Sequence, residues 1–373
     1  MKILYVITGL NFGGAETQLM RMVHYVKEKT SDEVRVVSLI EPEYRGFVDE
    51  LKERKVPYTS LNLKKSGNYL GAMKTYRQVL KEFQPDIIHT HMIHANLFAR
   101  LFHTPSAKSR LINTVHGEED FLGKRAKLYH MTEKRVNYTV CVSLALERQM
   151  IEASAASKEK VLSVYNGLST EIYRFDEAKR SEYRQKLGLK DGEFQWMIAG
   201  RLSPEKNHKN LLEACKLLDE KEKNWHLLIA GEGKTRAELE KMIQEEECLR
   251  KKVELLGLRS DVAALLNAAD GFVLSSNYEG LPLVLQEAAA VGLPMVSTRV
   301  GGCDEVVMEG ENGYLVPKQD PNALADAMLR MMQLSKEERE AFGTASKRLV
   351  EEEFSMEQVM KKWYLLYRGE KQE

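Results

Sequence analysis

The 373-residue sequence predicts an α/β protein of two Rossmann-like, doubly wound parallel-sheet domains facing across a cleft. Three observations carry that expectation. Short apolar runs alternate with amphipathic stretches along the chain, as the strands and crossover helices of parallel sheets do. The alternation lapses in a looser, charged region near 170–193 and then restarts. The length fits two domains of about 150–200 residues better than one.

In the first series, Ile3–Ile7, Val34–Ile40, Ile87–Thr90, Leu111–Val115 and Thr139–Val142 read as strands. Between them Thr17–Val26, Leu70–Phe83 and Asn96–Phe102 read as helices, with Leu19, Val23 and Val26 at helical spacing. In the second series the strands are Trp196–Ala199, His226–Ala230, Phe272–Leu274 and Pro294–Ser297. The helices there are Asn210–Leu218, Ala237–Glu246 and Leu283–Val291. A short-period repeat is lacking, which excludes a solenoid.

A hydrophobic share of 43% beside 29% charged residues suits a soluble protein with two cores. The apolar run Ile3–Ile7 is too short for a signal-peptide core, and no run reaches the ~20 residues of a membrane span. A cytoplasmic protein is expected. The four cysteines, Cys141, Cys215, Cys248 and Cys303, lie far apart without a CxxC pair, so neither a disulfide framework nor a zinc site is indicated. Net charge is zero, yet residues 1–170 hold 25 Lys and Arg against 18 Asp and Glu. That excess suits an anionic partner such as a phospholipid surface, unless it is merely solvated. Lys52, Arg54, Lys55, Lys64 and Lys65 form one cluster, and Lys124, Arg125 and Lys127 another. No nucleic-acid partner is expected.

Ligands of open parallel sheets lie beyond the carboxyl ends of the strands, so the residues that follow strands matter most. Four such segments stand out. Gly9-Leu10-Asn11-Phe12-Gly13-Gly14-Ala15-Glu16 leads into a helix, where glycines admit a ligand and free amides attract an anion; a plain tight turn is the alternative. Its spacing is not GxGxxG, so a dinucleotide fingerprint is unsupported. Gly200-Arg201-Leu202-Ser203-Pro204-Glu205-Lys206-Asn207 places an arginine and a lysine at a strand mouth, suited to a diphosphate, or solvated on the surface. In Glu279-Gly280-Leu281-Pro282-Leu283-Val284-Leu285-Gln286-Glu287, Pro282 is expected in the first helical turn. Glu279 then precedes the helix, and Glu287 projects from it. Amides near Gly280–Leu283 can hold a phosphate, while the two carboxylates accept from sugar hydroxyls. His116-Gly117 ends a strand, and a histidine there either meets a sugar or is structural. His89, His91 and His94 suggest a metal, but carboxylates at suitable spacing are missing, as is any Asp-x-Asp.

Together these segments resemble glycosyltransferase family 4, whose members have the GT-B fold. GGAE at 13–16, HTHMIHAN at 89–96, TVHG at 114–117 and YNG at 165–167 match its acceptor-side half. GRLSPEKN at 200–207, AGEG at 230–233, EGLPLVLQE at 279–287 and VGGCDEVV at 300–307 match its donor-side half. The resemblance implies that Arg201 and Lys206 hold the donor diphosphate, approached by Gly13 and Gly14 from the other domain. It places Glu279 on hydroxyls of the transferred sugar, Glu287 on the ribose and His116 on the donor sugar. Amides around Gly280, Leu281, Pro282 and Leu283 complete the phosphate site, while Gly231, Gly233 and Leu258 border the nucleoside. The last helix, Ser355–Tyr367, is implied to return to the first domain. The domains are then 1–170 with 355–373, and 171–354.

The resemblance further implies a retaining, metal-independent hexosyltransferase that needs no cofactor, with UDP the commonest carrier. The expected acceptor is a saccharide or lipid-linked saccharide, met at the inner face of a membrane. The alternatives are a nucleotide-sugar 2-epimerase of related architecture and a non-catalytic nucleotide-sugar-binding subunit.

Overall fold

The computed structural model describes residues 1–11, 13–64, 67–103, 109–190 and 192–370. Phe12 of the first glycine segment and Lys65 of the first basic cluster lie outside the described residues. The chain divides into two units, Met1–Gly167 with Met356–Glu373, and Leu168–Ser355.

The first unit is built on seven parallel strands: β1 Lys2–Ile7, β2 Glu33–Ser38, β3 Tyr58–Ser60, β4 Ile87–His91, β5 Arg110–Val115, β6 Tyr138–Cys141 and β7 Val161–Ser163. Their order is β3-β2-β1-β4-β5-β6-β7, so the winding reverses between β1 and β4. The strict alternation of side chains along β1 feeds two cores. Ile3, Tyr5 and Ile7 pack on one face with Leu19, Val23 and Val26 of the helix Gly14–Lys29, and with Val359, Met360 and Trp363 of the helix Met356–Arg368. Leu4 and Val6 enter the opposite face with Tyr76, Val79, Phe98 and Ala99. Burying a large apolar side chain contributes about 1.5–3 kcal/mol, so a strand buried on both faces is strongly held in register. Buried Arg100 donates to Tyr129 O at 2.9 Å and Thr139 Oγ1 at 2.6 Å, and lies over the Tyr129 ring at 4.4 Å. It thereby ties the helix Lys124–Thr132 to β6.

The second unit carries six parallel strands: β8 Phe194–Ala199, β9 Trp225–Ala230, β10 Val253–Gly257, β11 Gly271–Leu274, β12 Met295–Thr298 and β13 Gly313–Val316. Their order is β10-β9-β8-β11-β12-β13, with the reversal between β8 and β11. Every residue of β8 is buried. Both units are therefore Rossmann-like, the doubly wound parallel architecture expected of a GT-B protein.

Two local expectations need correction. The charged region near 170–193 contains a helix, Glu177–Lys186, none of whose residues is buried. It is held by an Asp176 cap on Lys179 N at 3.1 Å and by Arg180 and Arg184 bonded to Asp270 at 2.5 and 3.2 Å. Polar anchoring leaves no apolar period to read. Pro282 is not in the first turn but caps the helix Leu283–Val291, with extended backbone at φ −72° and ψ 110°. A cap residue is non-helical by definition, and the restricted φ of proline suits it equally.

Candidate active site

In the second unit the expected residues gather where the winding reverses. Strands β8 and β11 are neighbours in space, so the loops that leave their carboxyl ends lie side by side. The first loop carries Arg201 and Lys206, and the second carries Glu279. Lys206 Nζ donates to Glu279 Oε1 at 2.6 Å, and Ser276 Oγ donates to the same oxygen at 2.5 Å. The Glu279 side chain is only 8% exposed and that of Lys206 21%, so the pair is screened far less than a surface ion pair. Arg201 is exposed.

A polar seam holds the two loops together. Ser275 Oγ donates to the carbonyls of Lys206 and Asn207 at 3.1 Å each, and Asn277 N to Glu205 O at 2.7 Å. Asn207 caps the helix His208–Lys221 and donates from Nδ2 to Asn277 Oδ1 at 3.1 Å, while Thr298 Oγ1 donates to Ser276 O at 2.7 Å. Ser275, Ser276 and Asn277, which hold the two loops together, are residues that sequence reasoning did not single out. Their only signal is position, directly after a buried strand.

Glycines bring the backbones close. A Cβ on Gly231 would sit 1.8 Å from Gly200 O, and one on Gly233 would sit 2.2 Å from Leu202 O. The loop after β9 thus lies against the Arg201 loop, helped by Leu202 N donating to Glu232 O at 2.9 Å. Gly301, at φ +50°, would carry a Cβ 1.8 Å from Glu279 O, and Gly302 N donates to Gly280 O at 2.9 Å. Leu281 and Pro282 are buried, Leu283 is half-buried, and the first amides of the helix Leu283–Val291 have no intrahelical acceptor. Glu287, 8% exposed, sits in the same helix, and Leu258 beyond β10 is 66% exposed.

In the first unit the corresponding reversal lies between β1 and β4, with β5 next to β4. Gly13 caps the helix that begins at Gly14. His116 follows β5 and joins a row of imidazoles. His89 and His91 stack at 4.4 Å between ring centroids, His91 and His116 at 5.3 Å, and His91 Nδ1 lies 3.1 Å from His116 Nε2. His89 bonds the Tyr367 hydroxyl at 2.8 Å and Thr114 Oγ1 at 2.7 Å. Burial lowers all three, His116 to about 4 and the other two well below the ordinary histidine value, so the row is neutral at pH 7. Asp120 accepts from the amides of His116 at 3.2 Å and Ile93 at 3.3 Å, and burial raises it to about 6. His94 stands apart from the row on the helix Ile93–Phe102. Among the described residues no group of three or more His, Cys, Asp or Glu is arranged to hold a metal ion.

Comparison with known proteins matches residues 12–172 to the family described as Glycosyltransferase Family 4, and residues 179–349 to Glycosyl transferases group 1. The chain belongs to the family 4, group 1 glycosyltransferases. The UDP-Gal:alpha-D-GlcNAc-diphosphoundecaprenol alpha-1,3-galactosyltransferase of Escherichia coli is 28% identical to this glycosyltransferase over 293 residues, 76% of this chain and 75% of that one. A Campylobacter jejuni GalNAc-alpha-(1->4)-GalNAc-alpha-(1->3)-diNAcBac-PP-undecaprenol alpha-1,4-N-acetyl-D-galactosaminyltransferase is 26% identical over 375 residues, 98% of both chains. Among solved structures, Anabaena Alr3699/HepE in complex with UDP superposes with a TM-score of 0.86 at 21% identity, over 99% of this chain and 100% of that one. That likeness shows the GT-B fold.

Proposed function

We propose that this glycosyltransferase moves a hexose-type sugar from a UDP carrier to a hydroxyl of a saccharide or lipid-linked saccharide, with retention and without a metal. The observation that carries the reading is the meeting of Lys206 and Glu279 at the β8–β11 reversal, on loops that also carry Arg201 and lead into the helix Leu283–Val291. The activities of the E. coli and C. jejuni relatives support a UDP-sugar and undecaprenol-linked acceptors, and the UDP held by the Anabaena chain supports the carrier.

In this reading Arg201 grips the diphosphate through two N–H groups, Lys206 adds a point charge, and the N–H groups of Leu281 and Leu283, on either side of the donorless Pro282, complete the cradle. Glu279 steers Lys206 through Oε1 and offers Oε2 to a sugar hydroxyl, while Glu287 takes the ribose. Gly231, Gly233 and Leu258 border the nucleoside; of the first unit, Gly13 and Gly14 are assigned to phosphate binding and His116 to a sugar hydroxyl. The bond from the anomeric carbon to the phosphate oxygen breaks with its electron pair going to the diphosphate. The acceptor oxygen bonds that carbon on the same face, and its proton passes to the departing phosphate oxygen. The two cations stabilise the charge that develops on the leaving group, the term removal of which typically costs a hundredfold or more.

We place the proposed membrane contact on the first unit. On the helix Lys124–Thr132, Lys124, Lys127, Leu128 and Met131 share one face, with Leu128 45% and Met131 78% exposed; Leu122 just before it is 54% exposed. Cations interleaved with exposed apolar side chains fit the headgroup region of an anionic leaflet. No helix among the described residues is long and apolar enough to cross a membrane. Peripheral contact at the inner leaflet is therefore the proposed location.

The test is a panel of UDP-glucose, UDP-galactose, UDP-N-acetylglucosamine, UDP-N-acetylgalactosamine and GDP-mannose. Each is offered with an undecaprenyl-diphosphate-linked sugar, and the product anomer is assigned by NMR. One UDP-sugar giving a retained glycoside is expected. An inverted product, an epimerised donor without transfer, or turnover only with GDP-mannose overturns the reading.

A further inference from the structure

The row of imidazoles contains an asymmetry that decides where its protons sit. His91 Nε2 is buried and has no hydrogen-bond partner among the described residues, while His91 Nδ1 meets His116 Nε2 at 3.1 Å. Both rings are neutral, so one donates and the other accepts. If His116 Nε2–H donated, His91 would carry its own proton on Nε2, leaving a buried N–H with no acceptor. If His91 Nδ1–H donates, its Nε2 is only a lone pair without a donor. Orphaned buried N–H groups are the rarer of the two defects. The second arrangement is therefore favoured, and it places the His116 proton on Nδ1.

We propose that His91 is a positioning residue that sets the tautomer of His116, so that His116 presents an Nδ1–H donor to a sugar hydroxyl oxygen. The functional half of this inference rests on the reading of His116 as a sugar-contacting residue. The supports behind His91 suit the task. His89 stacks on it at an interplanar angle of 26°, and His89 is pinned at both ring nitrogens, by the Tyr367 hydroxyl and Thr114 Oγ1. Asp120 holds the His116 backbone through its amide. Tyr367 and Trp363 of the C-terminal helix thereby brace the histidine row, Trp363 with its ring 4.3 Å from His89. The chemical consequence is specific. With Nε2 accepting from His91 and Nδ1 protonated, His116 has no lone pair left to act as a general base. The acceptor proton must then leave by another group, as the diphosphate route requires.

The test reads the tautomer directly. In full-length protein labelled with 15N at histidine, long-range proton–nitrogen correlation distinguishes Nδ1–H from Nε2–H, with His116 assigned through His116→Gln. The wild type is expected to show Nδ1–H at His116. His91→Leu is expected to move that proton to Nε2 in most molecules and to lower kcat/KM on the UDP-sugar turned over in the panel on the order of tenfold. His91→Asn, whose amide N–H overlays Nδ1–H, is expected to restore both to within a few-fold. Nε2–H at His116 in the wild type, or an unchanged pattern in a folded His91→Leu variant, overturns the inference. A tautomer that behaves as expected while His116→Ala turns over at the wild-type rate upholds the control by His91 and removes the sugar contact instead.

Discussion

Replacing Gly301 by alanine is expected to damage turnover from a position that bears neither charge nor side chain. The new Cβ would lie 1.8 Å from Glu279 O, where real contacts of this kind essentially never fall below 3.0 Å. The obstacle is a backbone carbonyl, so relief requires the Glu279–Gly280 segment to retreat by about 1 Å. That segment carries the carboxylate bonded to Lys206 at 2.6 Å. A displacement of this size at a reacting centre costs on the order of a hundredfold in rate. Stability suffers as well, because φ +50° is unfavourable for alanine and the clash is not fully relaxed, together roughly 2–5 kcal/mol. Gly310 is the control: it has φ +76° with nothing within 4 Å of its Cβ, so Gly310→Ala bears only the backbone cost of about 1–2 kcal/mol. Thermal unfolding and kcat/KM on a UDP-sugar separate the two. Gly310→Ala should melt lower and turn over normally, and Gly301→Ala should lose both. Equal melting losses with wild-type turnover in both variants would refute the claim that Gly301 seats Glu279.

Three further outcomes follow from the same contacts. Lys206→Met leaves the nearly buried Glu279 carboxylate with Ser276 as its remaining bonded neighbour, which should cost about 1–3 kcal/mol in denaturant unfolding without donor; Glu279→Gln should cost less. His208 is 2% exposed, neither ring nitrogen has a partner among the described residues, and burial lowers it to about 4. Its folded value lies below the unfolded one near 6.5, so the unfolded chain binds the proton first. Stability is then unaffected by this group above about pH 6.5 and falls by up to about 3 kcal/mol as pH drops toward 4. His208→Leu should flatten that part of the unfolding profile and raise stability at pH 7; an unchanged slope contradicts the burial argument. Leu128→Ser with Met131→Ser should weaken sedimentation with anionic vesicles at least tenfold while leaving melting unchanged, since both side chains are exposed.

What the sequence made legible follows the strength of the local signal. Strands β1, β8 and β9 are buried almost throughout, and their continuous apolar runs stand out. The three-residue strands Tyr58–Ser60 and Val161–Ser163 close the edges of the first sheet, partly exposed and too short to show any period. The helix Glu177–Lys186 was hidden because arginine–aspartate bonds rather than an apolar stripe hold it. Arg201, Lys206, Glu279 and His116 were visible as charged or titratable residues just past strands. Their partners were not. That Ser276 and Lys206 share one oxygen of Glu279, or that His91 meets His116, depends on which strands become neighbours, and a parallel sheet reorders its strands through crossovers that leave no local mark. Likewise Gly301 reads as one more glycine until the chain returns to Glu279.

Calorimetric titration of UDP tests the central claim most directly, that the loops leaving β8 and β11 hold the diphosphate of the donor. The wild type should bind, Arg201→Ala and Lys206→Met should each lose about tenfold or more, and the double variant about a hundredfold or more. A folded double variant that binds UDP as tightly as the wild type would contradict it.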